Sequence, residues 1–179
     1  MKFAVKLLLL LTIFGLPAEF LAAPGSPDPN ISVVGYFAAD KVQRGRTVRV
    51  GMVIDIPSGY HIHSNRPLEN YLIATQLSVE APKGVRVGAV SYPRPLLKNF
   101  KFSSKKLSVY EKQTILRFDV TVPANYSGDS IELKARVRLQ SCDDEVCFPP
   151  KSYNQNLRIG VVSPSDRVNR TNGWVFSSR

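Results

Sequence analysis

The stretch IELKARVRLQ, residues 131–140, alternates without a break: Ile131, Leu133, Ala135, Val137 and Leu139 are apolar, and Glu132, Lys134, Arg136, Arg138 and Gln140 are polar. A period of two places one set on each face of an extended chain, the pattern of a half-buried antiparallel strand. The same period recurs upstream. In TVRVGMVIDI (47–56), Val48, Val50, Met52, Ile54 and Ile56 share a face opposite Thr47, Arg49 and Asp55. In ILRFDVTV (115–122), Leu116, Phe118, Val120 and Val122 alternate with Arg117, Asp119 and Thr121. Weaker strands are expected at 31–38, 75–80, 85–90 and 155–162, bounded by the turn-forming stretches PSG, APKG, YPRP and NYSGD. No segment after the first 23 residues has a helical period. Many short strands at this spacing predict an all-β fold, an immunoglobulin-like antiparallel β-sandwich.

Around this core the chain divides into further parts. Lys2 and Lys6 flank the start of an apolar run, Leu7 to Leu16, that ends near the small residues Ala22 and Ala23. The run is too short to span a bilayer, so residues 1–23 read as a secretory signal peptide. Residues 24–30 (PGSPDPN) form a flexible leader, 31–162 the domain, and 163–179 a C-terminal extension. No later stretch approaches membrane-spanning length, so no stable membrane insertion is expected. The protein is expected to be exported, to a periplasmic or secreted location that is oxidising.

The chain carries a formal charge of +10, and removal of residues 1–23 leaves 22 basic against 13 acidic residues, or +9. The charges are scattered through alternating segments and no nucleic-acid motif accompanies them, so a nucleic-acid partner is not expected.

The only two cysteines, Cys142 and Cys147, lie in SCDDEVC just after the best strand. Continued for two residues, its alternation turns Cys142 outward, which would make the sulfur accessible. Three readings stay open. A structural staple would leave a non-catalytic immunoglobulin-like protein-binding module; across so short a loop it stabilises by about 2 kcal/mol, against about 4 to 5 for a loop of about 100 residues. A metal site would recruit His61 and His63 of GYHIHSN, an alternating pair on one strand face, into a Cys2His2 set for zinc or copper(I). A redox pair would open and close. Asp143, Asp144 and Glu145 inside the loop would raise thiol pKa values, and Lys98, with Lys101, Lys105 and Lys106, would oppose them if it folded over the loop.

In order, GYHIHSNRP (59–67), SYPRPLLKNF (91–100), LSVYEK (107–112) and QSCDDEVCFPP (140–150) resemble the N-terminal periplasmic domain of the bacterial thiol:disulfide interchange protein DsbD. The likeness runs from about Ile31 to Val162. It implies an immunoglobulin-like sandwich in which Cys142 and Cys147 shuttle between dithiol and disulfide, Cys147 forming the mixed disulfides. It implies no cofactor, thioredoxin-like periplasmic partners, and a membrane-embedded electron donor. Neither the membrane segment nor the C-terminal thioredoxin-like domain of such proteins follows in this sequence, so that donor is expected to be a separate protein. A cap loop at KNFKF (98–102) would shield the pair, with Phe100 or Phe102 as its lid. Tyr110 is expected in the core, and Phe148 either there or beside the pair. Two departures stand out: one residue fewer between the cysteines, and a basic rather than acidic cap loop.

Overall fold

The computed structural model describes residues 29–177. The expected signal peptide (1–23) and residues 24–28 of the leader lie outside the described residues. The strands, in chain order, are β1 (Ser32–Phe37), β2 (Lys41–Gln43), β3 (Thr47–Asp55), β4 (His61–His63), β5 (Gln76–Glu80) and β6 (Arg86–Val87). They continue as β7 (Leu96–Phe100), β8 (Ser103–Tyr110), β9 (Gln113–Thr121), β10 (Ser130–Leu139), β11 (Ser141–Cys142) and β12 (Lys151–Val162), followed by one helical turn, α1 (Gly173–Phe176).

Two four-stranded sheets, β1-β3-β9-β6 and β2-β12-β10-β5, enclose the main core. The all-β, immunoglobulin-like sandwich is thus present, antiparallel except that edge strand β2 runs parallel to β12. Alternation decides which side chains form the core. Ile131, Leu133, Ala135, Val137 and Leu139 of β10 are all buried, facing Val50, Met52 and Ile54 of β3 and Leu116, Phe118 and Val120 of β9. Each fully buried aliphatic chain of this size stabilises the fold by about 1.5–3 kcal/mol.

The middle of β3 departs from simple alternation, because Gly51 and Val53 are buried as well. The residues after Val162 fold back over that outer face. Val175 is fully buried, Trp174 meets Tyr36 edge-on at 5.3 Å, and Arg117 donates two hydrogen bonds to the Val175 carbonyl at 2.9 and 2.6 Å. A Cβ on residue 51 would come within 2.4 Å of Val175 Cγ1, so only glycine allows this approach.

A third sheet, β11-β4-β8-β7, closes one end of the sandwich and was not anticipated as a sheet. The lysine-rich stretch 98–106 turns out to be the hairpin of β7 and β8, with an irregularity between Lys98 and Phe100. A small second core of Phe100, Leu107 and Val109 packs beneath it, with Leu72 alongside.

Candidate functional site

The chain leaves the main sandwich at Gln140. Its side-chain Oε1 accepts from Ile73 N at 3.3 Å, its Nε2 donates to Phe148 O at 3.1 Å, and its carbonyl accepts from His63 N at 3.1 Å. Beyond this corner, Ser141 and Cys142 pair with β4 instead of with the strands that flank β10. The crossing cancels the parity of the preceding strand. Cys142 is 3% exposed, so the expectation of an outward, accessible Cys142 is corrected. Cys147 is the partly exposed partner.

Cys142 and Cys147 form a disulfide across an antiparallel bridge, their Cα atoms 3.9 Å apart. Asp143 shapes the intervening turn: its Oδ1 accepts from Glu145 N at 2.8 Å and Val146 N at 2.7 Å, while its own N–H donates to Val146 O at 3.0 Å. Phe148 N donates to Ser141 O at 2.8 Å and closes the base of the loop. Such local side-chain bonds explain why an aspartate stands at the turn.

Strand β4 lies between β11 and β8 and is buried along its whole length. Cys142 is in register with His61, yet its sulfur leans diagonally to His63. His63 Nε2 stands 3.2 Å from Cys142 Sγ and 3.7 Å from Cys147 Sγ. Burial of this imidazole pushes its pKa down to about 4, so the ring is neutral at ordinary pH. Its Nδ1 is buried and has no hydrogen-bond partner.

His61 takes a different environment. Its Nε2 lies 2.7 Å from Glu111 Oε1 and 3.3 Å from Lys98 Nζ, and its ring is met edge-on by Phe100 at 4.7 Å. Burial acts to raise the Glu111 carboxyl, but Lys98, which donates to it, and His61 outweigh that and hold it below its usual range. The two histidines expected as a joint metal pair are therefore divided. The structure brings His63 to the sulfurs and leaves His61 on Glu111.

The lysines divide in the same way. Lys98 pairs with Glu111, Lys105 with Glu69 at 2.9 Å, and Lys101 reaches Glu145 in the cysteine loop at 3.6 Å. Asp144 lines a depression with Lys98 and His61, and Cys147 is not among its lining residues. Phe100 is 6% exposed and points into the small core, whereas Phe102, 5.4 Å from it, is 39% exposed. Phe102 borders an open groove with Cys147, Val146, Tyr71 and Leu72. Tyr110 is in the main core, its hydroxyl donating to Asn65 Oδ1 at 2.6 Å. Phe148 is buried with its ring 5.9 Å from that of Tyr60. Glu111 and the separate roles of the two histidines were missed by sequence reasoning. The alternation of HIH carried the only signal, and it could not assign partners.

A β-sandwich that holds a disulfide at one end, with one sulfur sealed and the other open to a groove, belongs to the class of thiol:disulfide exchange domains. The model of the family "Thiol:disulfide interchange protein DsbD, N-terminal" matches residues 34–158, and the chain belongs to that family. Among solved structures, the N-terminal domain of DsbD from Neisseria meningitidis in the reduced form is 17% identical, with a TM-score of 0.43 over 72% of this chain and 88% of that one. The N-terminal periplasmic domain of ScsB from Proteus mirabilis is 16% identical, with a TM-score of 0.50 over 81% of this chain. The chain covers 52% of that ScsB structure, and the likeness concerns the fold. No curated protein sequence matches the chain.

Proposed function

We propose that this is an exported, periplasmic electron-transfer protein whose Cys142–Cys147 pair passes reducing equivalents between thioredoxin-like partners, the supply coming from a membrane-embedded donor. The observation that carries the reading is the asymmetry of the pair: Cys142 is sealed at 3% exposure, and Cys147 borders the groove beside Phe102.

The chemistry follows from that asymmetry. A partner thiolate attacks Cys147 Sγ, a partner–Cys147 disulfide forms, and Cys142 leaves as a thiolate that takes up a proton. The partner's second thiolate then attacks its own sulfur in the mixed disulfide. The partner disulfide closes, Cys147 departs as a thiolate and is protonated, and two electrons have moved. With its proton on Nε2, His63 donates to the departing Cys142 sulfur, stabilising the leaving group in a site that excludes water. Phe102 and the Lys101–Glu145 pair act as the cap over Cys147, and Phe100 props the hairpin from inside. The sulfur atoms suffice for the exchange, and no cofactor enters it.

Cys142→Ser leaves Cys147 free and should trap a mixed disulfide with a thioredoxin-like protein in a periplasmic extract, a band lost on reduction. Absence of any covalent partner from either single-cysteine variant would overturn the reading. So would a reduction potential below about −300 mV, the range of inert structural disulfides.

A further inference from the structure

His63 raises a question that exchange alone does not answer. A buried imidazole normally has both nitrogens engaged, and a buried polar group without a partner costs about 1–3 kcal/mol. Here Nδ1 has none, and Nε2 faces only two sulfurs, which are weak hydrogen-bonding atoms. As a hydrogen-bonding arrangement this is poor. As a set of soft donors it is well formed.

The donor atoms of His63, Cys142 and Cys147 all lie within 4.8 Å of one another. An ion bound in a trigonal plane, with bonds of about 2.0 Å to nitrogen and about 2.3 Å to sulfur, holds its donors about 3.7–4.0 Å apart. The two nitrogen–sulfur edges of that triangle stand at 3.2 and 3.7 Å, so breaking the disulfide must open the sulfur–sulfur edge and lengthen the shorter nitrogen–sulfur edge by about 0.5 Å. The donor set selects the ion. Zinc in a structural site takes four ligands; among the described residues no fourth His, Cys, Asp or Glu joins this cluster, and His61 is held by Glu111. Two thiolates and one neutral imidazole suit copper(I), which favours soft sulfur and accepts low coordination numbers. Cys147 at the groove supplies the way in.

We propose that the reduced protein binds one copper(I) ion through Cys142 Sγ, Cys147 Sγ and His63 Nε2, and that the disulfide form does not. Binding displaces the two thiol protons, and the imidazole binds as the tautomer with its proton on Nδ1, which frees the Nε2 lone pair for the ion. Release is coupled to oxidation: a partner disulfide accepts the two electrons and, with two protons, becomes a dithiol, the Cys142–Cys147 bond closes, and the ion departs still as copper(I). Because the metal binds one redox form only, it stabilises the dithiol by mass action and makes the pair harder to oxidise. The proposal requires a reducible pair, but no particular redox partner.

The test is an anaerobic titration of the purified protein with copper(I) delivered from its bicinchoninate complex. Thiols are counted first, so failure to reduce the pair is separated from failure to bind. One ion per reduced chain and none per oxidised chain is the expected result, with His63→Ala weakening binding by at least about tenfold. Because His63→Ala removes a buried ring and risks misfolding, copper X-ray absorption on the unaltered protein gives an independent reading. Two sulfur neighbours and one nitrogen support the site. Sulfur-only coordination, a second nitrogen, or equal binding by the disulfide form overturns it.

Discussion

His63 and Cys142, 79 residues apart in sequence, meet with imidazole Nε2 3.2 Å from the sulfur, and burial holds the ring's pKa at about 4 against an ordinary value of 6.5. The unfolded chain therefore takes up this proton before the folded one does. The stability contributed by the neutral ring is complete above about pH 6.5 and is lost as pH falls toward 4. Urea unfolding of the oxidised protein should show a loss of about 2 kcal/mol from this group between pH 7 and 5. In His63→Gln that component should vanish. An unchanged pH slope in the variant would mean that the ring is not held neutral.

The sealed and open sulfurs should differ in reactivity. With Cys142→Ser, the remaining Cys147 should react with a bulky thiol reagent about tenfold or more faster than the Cys142 left by Cys147→Ser, because access limits the attack. Stopped-flow measurement with an aromatic disulfide reports both rates. Equal rates would remove the asymmetry on which the direction of attack rests.

Phe100 and Phe102 should separate into different roles. Phe100 is packed against Leu107 and the ring of His61, and Phe100→Ala should cost about 3 kcal/mol in denaturant unfolding. Phe102 is far more exposed, so Phe102→Ala should shift stability by less than about 1 kcal/mol. It should nonetheless speed reduction of the disulfide by dithiothreitol. If Phe102→Ala leaves that rate unchanged, Phe102 does not screen the pair.

The contact between Gly51 and Val175 makes the docked C-terminal segment testable. Gly51→Ala should destabilise by about 1–3 kcal/mol, since the new methyl group has no room beside Val175 Cγ1. Val175→Ala removes that atom, so the two changes together should cost less than the sum of their separate effects. Strict additivity in the unfolding free energies would show that the segment does not rest on β3.

Surface charge pairs should matter little to stability. Lys101 and Glu145 are both largely exposed at 3.6 Å, and Lys101→Ala should change unfolding by less than about 1 kcal/mol. Its effect should appear instead as faster reduction of the pair at low salt, fading as salt is raised. A rate that does not depend on salt would exclude a capping role for this contact.

The sandwich was legible because alternation is a local property. Each of residues 131, 133, 135, 137 and 139 is buried as its parity required, and the same holds for Val48, Val50, Met52 and Ile54. The cysteine loop and its flanking motifs were equally legible as a family pattern, which the family match over residues 34–158 upholds. The strands of the third sheet were not, because β4 and β11 are buried at every position and β8 at four successive residues, 107–110, so no period of two marks them.

By itself, then, the sequence determined the strand faces, the sandwich class and the loop on which the cysteines sit. Only the tertiary structure decided which sulfur is open and which histidine lies beneath it. Parity holds while a strand stays in its sheet; at Gln140 the chain crosses to another, and the inward face is set anew by β4. His63 and His61 share a strand and a residue type, and they differ only in what the fold packs against them: sulfur for one, Glu111 and Lys98 for the other.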